Sequence, residues 1–188
     1  MRPPERIALG DILLRRWTRA DVTPLHTAVI ESFEILRPWM PWAAQRPDPV
    51  EQRTYVGTTI SQWDADEAYI YGIFATDDGQ LLGTIGLHDR VEPGGLEIGY
   101  WLHADHTGKG LATRAAEALT EAAFALPGIE RVEIHCDEAN TASAAIPQRL
   151  GYHLARTDSE KPEAPAETGR RMIWIKTRQR TTDREPRS

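Results

Sequence analysis

Apolar and polar residues recur along this chain in two rhythms, one of period two and one near 3.6, and the switches between them outline the elements. Ile12-Leu-Leu-Arg-Arg-Trp17 reads as a first strand. Thr18-Arg-Ala-Asp21 opens a helix in which Val22, Leu25, Val29 and Phe33 keep helical spacing. Thr18 or Asp21 can cap it, and Pro24 lies early enough to suit either start. Leu36-Arg-Pro-Trp-Met-Pro-Trp42 is too proline-rich for a regular element and predicts an exposed loop with two tryptophans. A second helix is expected from Pro49 to Trp63, with Val50, Tyr55, Val56 and Ile60 as a partial inner face. Tyr69 to Ala75 is a β-rich run, Asp77-Asp-Gly79 a hairpin turn signal and Leu81 to His88 the returning strand. A second turn, Val91 to Gly95, leads to the strand Leu96–Leu102.

Beyond the loop His106-Thr-Gly-Lys-Gly110 the pattern turns clearly amphipathic to about Leu126. Leu111, Ala115, Ala118, Leu119, Ala122 and Leu126 share one face, and Arg114, Glu117 and Glu121 another. Pro127-Gly128 stops this helix. Arg131-Val-Glu-Ile-His-Cys136 alternates strictly, as a strand with one wetter face does. A short helix from Asn140 to Leu150, a strand from Tyr152 to Arg156, a Pro/Glu/Ala-rich hairpin loop from Ser159 to Thr168 and a last strand from Arg171 to Lys176 complete the order. The expectation is one mixed α/β (α+β) domain over residues 1–177, followed by a polar, disordered tail at 178–188.

A chain of 188 residues suits a single domain with a sizeable core. A net charge of −6 argues against a nucleic-acid partner, which calls for a basic patch. One cysteine, Cys136, excludes an internal disulfide and any multi-cysteine zinc site, and the scattered histidines lack metal-ligand spacing, so no metal is expected. With no apolar run long enough to span a bilayer and no apolar stretch at the start, no membrane is expected and the default location is cytoplasmic.

The most informative stretch joins the strand Glu97–Leu102 to the alanine-rich helix through a loop with Gly108 and Gly110. Helix N-termini leave amides unpaired and carry partial positive charge, glycines let an anion come close, and Lys109 adds a cation. A Walker A loop fails, because His103 stands where its first glycine belongs and Gly110 where a Ser or Thr belongs; the dinucleotide fingerprint fails at Thr113. Taken alone, the two glycines need only shape a tight turn. In context, Glu97-Ile-Gly-Tyr-Trp-Leu followed by Gly-Lys-Gly-Leu-Ala-Thr113 closely resembles the acetyl-CoA signature of GNAT acetyltransferases, most of all the subgroup that acetylates ribosomal-protein N-termini. Asp105 replaces the usual Gln or Arg of that signature. A second block, Asn140-Thr-Ala-Ser143 through Arg149-Leu-Gly-Tyr152, resembles the family's later motif, and the Leu36–Trp42 segment resembles the subgroup's substrate region.

The resemblance implies a central, mostly antiparallel mixed sheet flanked by helices. It also implies acetyl-CoA held by Tyr100, Trp101, Leu102, His106, Thr107, Gly108, Lys109, Gly110, Leu111, Ala112, Thr113, Asn140, Ser143 and Arg149, and a homodimer. In relatives the pantetheine arm lies between splayed strands that correspond to Leu96–Leu102 and Arg131–Cys136. Glu97 is the candidate base, acting through water, unless it is only a strand-pairing glutamate; Ser143 is the candidate proton donor to the departing thiolate, unless it is only a helix-surface serine. Main-chain amides around Tyr100–Leu102 would polarise the thioester carbonyl. Trp39, Trp42, Trp63 and Tyr69 are candidates for the acceptor wall. Cys136 reads as a small buried apolar residue rather than a nucleophile. Pro147 cannot donate to the Ser143 carbonyl, so a kink or a freed acceptor is expected there. It also stands where many relatives carry a tyrosine acid. The activity expected is direct acetyl transfer to a protein or peptide N-terminal amine; a small amine as acceptor, and a non-catalytic acyl-CoA-binding module, are the alternatives.

Overall fold

The structure is a computed structural model and describes residues 1–77 and 79–179. Eight strands form one sheet in the order β1-β2-β3-β4-β5-β6-β8-β7. They are β1 (Arg6–Leu9), β2 (Ile12–Arg16), β3 (Ala68–Ala75), β4 (Leu81–His88), β5 (Gly95–Leu102), β6 (Arg131–Asp137), β7 (His153–Ser159) and β8 (Arg170–Thr177). Every neighbouring pair is antiparallel except β5 with β6. The helices are α1 (Val22–Glu31), α2 (Phe33–Leu36), α3 (Pro49–Asp64), α4 (Leu111–Phe124) and α5 (Thr141–Arg149). Among the described residues no helix is long and apolar enough to cross a membrane.

Strand alternation sorts the core into two layers. Tyr71 and Ile73 of β3, Ile85 and Leu87 of β4, Leu96 and Ile98 of β5 and Val132 and Ile134 of β6 face α4 and α5. Ile70, Phe74 and Trp101 project the other way, toward Leu25 and Val29 of α1 and Val56 of α3. The alanines of α4 let it lie close to the sheet: Ala115, Ala116, Leu119 and Ala123 are fully buried while Glu117 and Glu121 stay in solvent. α3 starts at Pro49 behind a reciprocal cap, Glu51 N donating to Asp48 at 2.8 Å and Asp48 N to Glu51 at 3.2 Å.

Three details depart from expectation. The hairpin partner β1 was too short to show a period. The helix containing Val22 breaks at Ser32, so Phe33 opens α2. The cap before α1 agrees with expectation: Asp21 reaches back to accept from Thr18 N at 2.7 Å, and it also accepts from the Thr18 hydroxyl at 2.7 Å and from a bidentate Arg15. Arg178, expected in the tail, is pinned: its amide donates to Glu130 O at 2.8 Å and its guanidinium to the carbonyls of Phe124, Leu126 and Ile129. Residues 180–188 of the expected tail, and Asp78 of the hairpin turn, lie outside the described residues.

Gly83 lets β4 and β5 meet. A Cβ there would lie 2.3 Å from Trp101 O and 2.9 Å from Leu102 Cα, both backbone atoms that cannot swing away. Gly83→Ala should destabilise the domain by about 3 kcal/mol in denaturant unfolding. Gly57→Ala in α3, where a Cβ meets nothing within 4 Å, should instead stabilise it by about 0.5–1 kcal/mol.

Candidate active site

β5 and β6 pair over only three rungs, Gly95↔Arg131, Leu96↔Val132 and Glu97↔Glu133, and then part. Past Glu97, β5 pairs only with β4, and past Glu133, β6 pairs only with β8. An unpaired strand edge is thus open to the gap, with main-chain donors and acceptors available to a ligand that carries amides. A cavity of about 910 Å³ fills this wedge and draws its lining from both faces of the sheet. Thr84, His88, Arg90, Glu97, Trp101 and His135 line it on the α1/α3 face; Tyr100, Cys136, Asn140 and Ser143 line it on the side of α5.

Glu97 is 5% exposed and bound bidentately by Arg90, at 2.7 and 2.6 Å. Burial alone would raise its carboxyl; the Arg90 guanidinium, supported by His135, overrides this and holds it below the ordinary glutamate range. Its neighbour Glu133 is 4% exposed and is held by Arg131 at 2.7 Å and His135 Nε2 at 2.7 Å. The other nitrogen of His135 stands 3.6 Å from Glu97. His88, across β4 from Glu97, is pushed down to about 4 by burial and then by Arg90, so it is neutral near pH 7. Arg90, His88 and His135 escaped sequence reading. Only His135 left a signal, as a polar member of an alternating strand.

On the other side, Asn140 caps α5 by accepting from Ser143 N at 3.1 Å. The helix closes as expected around Gly151, with Tyr152 N donating to Pro147 O at 3.0 Å and Gly151 N to Gln148 O at 3.2 Å. The Ser143 hydroxyl is 3.2 Å from the Tyr100 hydroxyl. Cys136 shares the cavity. Burial pushes its thiol up to about 11, against a hydrogen bond from Ser143, which keeps it protonated and a poor nucleophile.

The glycine loop forms a separate mouth outside the cavity lining. It is anchored to the end of α1, with Ala104 N donating to Ser32 Oγ at 3.0 Å and His103 Nε2 standing 2.9 Å from Glu31. Gly108 and Gly110 adopt φ of +72° and +75°, and a Cβ at either would meet nothing within 4 Å, so the backbone lies open to an anion. The first α4 turn bond runs from Arg114 N to Gly110 O, leaving the amides of Leu111, Ala112 and Thr113 at the helix mouth. Lys109 Nζ caps Asp105 O at 2.7 Å and Thr107 Oγ1 donates to Ala104 O at 3.1 Å, so both side chains brace the loop, while His106 stacks edge-on against His103. A diphosphate fits these main-chain donors. Leu102 packs partly buried at the end of β5, and Arg149 is exposed on the last turn of α5, away from the cavity lining.

Trp39 and Trp42 line the outer part of the cavity, Trp42 half-exposed with its ring 6.1 Å from that of Trp101. Tyr55, Glu51 and the loop Glu160–Glu167 share this rim, and Ala166 N ties that loop to Pro38 O at 2.9 Å. Tyr69 does not belong here. It points to the opposite face, 5.2 Å from the ring of the buried Trp63, and donates to Asp66 at 2.9 Å. Strand alternation separates it from Ile70, which does line the cavity. Trp63, fully buried in that same core, is likewise no part of an acceptor wall.

Comparison with known proteins identifies the architecture. Residues 11–153 match the family model described as an acetyltransferase (GNAT) domain, and the chain belongs to that family. It is an acetyltransferase. The chain is 34% identical over 145 residues to YdaF of Bacillus subtilis (strain 168), which carries a provisional name as a ribosomal N-acetyltransferase, covering 75% of this chain and 77% of that one. It is 27% identical over 135 residues to the ribosomal-protein-serine acetyltransferase of Escherichia coli (strain K12), covering 71% and 74% of the two chains. The fold matches RimL, a ribosomal L7/L12 α-N-protein acetyltransferase solved with coenzyme A, with a TM-score of 0.84 at 23% identity over 92% of this chain and 98% of that one. It also matches MccE, a microcin C7 self-immunity acetyltransferase solved with acetyl-CoA and AMP, with a TM-score of 0.82 at 20% identity over 90% and 93%.

The depressed pKa of His88 makes a pH prediction. Unfolding frees this imidazole to protonate near 6.5, so its contribution to stability is complete above that pH and is lost as pH falls toward about 4. Glu97, also depressed, adds a further loss below about pH 4.3. Stability against thermal unfolding should therefore fall by on the order of 2 kcal/mol as pH drops from 6.5 to 4, and His88→Gln should flatten that slope.

Proposed function

We propose that the protein transfers the acetyl group of acetyl-CoA to the N-terminal α-amine of a protein or peptide, by direct attack in a ternary complex. The observation that carries this is the parting of β5 from β6, which leaves Glu97 and Ser143 along one cavity but on opposite faces of the sheet. The thioester carbon then lies between an amine entering past Trp39 and Trp42 and a sulfur leaving toward α5. The amides of Leu111, Ala112 and Thr113, with Gly108 and Gly110, hold the cofactor's diphosphate. The open edge of β5 receives the pantetheine amides.

The amine nitrogen bonds to the carbonyl carbon, and main-chain donors about Tyr100–Leu102 stabilise the oxyanion. The carbon–sulfur bond then breaks, the electron pair leaves with sulfur, and the Ser143 hydroxyl supplies a hydrogen bond and a proton to the thiolate. The proton released by nitrogen passes through water to Glu97. Arg90 makes Glu97 a weaker base than a free glutamate. That suits an α-amine, roughly a tenth neutral at pH 7, better than a lysine amine. The names of YdaF and of the Escherichia coli relative support this acceptor class. The RimL complex, whose coenzyme A is held in a disulfide to a cysteine, supports the place given to the cofactor sulfur, since Cys136 and Ser143 line one cavity. A ribosomal-protein acceptor, as in the names of these relatives, would place the enzyme in the cytoplasm, and the homodimer implied by the family resemblance is part of the proposal.

A small amine is the second reading, favoured by the fold match to MccE, whose name assigns it to microcin self-immunity. The two separate in one assay: thiol release from acetyl-CoA with free-N-terminal peptides, N-blocked lysine peptides and small amines. Turnover confined to the free-N-terminal peptides supports the proposal, and turnover confined to small amines sinks it. Binding of acetyl-CoA without turnover on any acceptor would leave the non-catalytic module. Ser143→Ala should lower kcat roughly 10–100-fold, and Glu97→Gln a comparable amount, with calorimetric binding of coenzyme A retained. If both variants turn over like the parent, the assigned roles are wrong.

A further inference from the structure

Each amide of an α-helix donates to the carbonyl four residues earlier. Position 147 of α5 is a proline with no amide proton, so the Ser143 carbonyl lacks its helical donor. The Tyr100 hydroxyl stands 3.2 Å from that carbonyl oxygen and donates to it. The same hydroxyl is 3.2 Å from Ser143 Oγ. Tyr100 lies on β5 three residues past the last rung shared with β6, and its side chain reaches α5 across the gap. The phenol proton is shared between the carbonyl oxygen and Ser143 Oγ, which leaves the serine's own proton for the sulfur.

We propose that Tyr100 is a positioning residue for Ser143, standing in for the helical donor that Pro147 removes. The proposal rests on the reading of Ser143 as the group that meets the leaving sulfur. Burial raises the Tyr100 phenol well above its ordinary value, so it keeps its proton throughout. Tyr100 therefore contributes hydrogen bonds and no net proton. The thiolate takes its proton from Ser143, which regains one from solvent. A bond shared between the main chain and side chain of one residue fixes both the first turn of α5 and the direction of the serine hydroxyl, whereas a helical amide from position 147 would fix the carbonyl only.

The test is a cycle of Tyr100→Phe, Pro147→Ala and the double variant, in the full chain. Tyr100→Phe strands the carbonyl; Pro147→Ala returns the missing amide proton. Tyr100→Phe should lower kcat about tenfold, the loss of one hydrogen bond, with the KM for acetyl-CoA within about twofold of the parent. Pro147→Ala alone should be near parental, and the double variant should regain at least about threefold in kcat over Tyr100→Phe. Thermal midpoints are read in parallel and should show the same rescue without reference to activity. A double variant no more active than Tyr100→Phe overturns the proposal, as does a Tyr100→Phe enzyme with parental kcat or with its loss confined to KM. Ser143→Ala, run alongside, separates the two readings. Parental turnover in that variant removes the thiolate role of Ser143, while rescue of the midpoint still reports whether Tyr100 replaces the absent amide.

Discussion

Two buried carboxylates meet side by side where the parallel pairing of the sheet ends. Glu97 and Glu133 are register partners, and like charges at directly opposed strand positions repel. Each survives because it has its own guanidinium, Arg90 for one and Arg131 for the other, with His135 between them. Removing one member of such a set would leave an uncompensated buried charge, which is far more costly than the set as a whole. The strands part at this rung, and the parting creates the wedge on which the cavity, the open edge of β5 and the reach of Tyr100 to α5 all depend.

Much of this was legible in the order of residues because it follows from short-range physics. The amphipathic run after Gly110, the strict alternation from Arg131 to Cys136, and Asn140 and Gly151 at the two ends of α5 are local preferences that the tertiary structure keeps. Pro147 was legible too: a missing amide proton must free a carbonyl wherever the helix packs. What the sequence could not show was which group takes that carbonyl, because Tyr100 is 43 positions away and comes close only through the parted strands.

The misreadings have separate causes. Tyr69 and Trp63 were grouped with Trp39 and Trp42 as aromatics, yet the side of the sheet a strand residue faces is set by parity, and Tyr69 differs from the cavity-lining Ile70 by one step. Arg90 sits in a connection with no periodicity, so its grip on Glu97 left no trace. Arg178 looked like the start of a polar tail, and only the fold brings the last carbonyls of α4 within its reach. The candidate site was thus readable where the backbone does the work, at the glycine loop and the α5 cap, and unreadable where distant side chains set the charge.

A cavity walled by both faces of one sheet bears on the sequence of events in a catalytic cycle. Two reactants that approach a common carbon from opposite sides of a strand layer do not compete for one entrance, so neither has to depart before the other arrives. Traffic of that kind gives intersecting rather than parallel reciprocal plots, and lets the spent carrier leave by its own door while a new acceptor waits at the other.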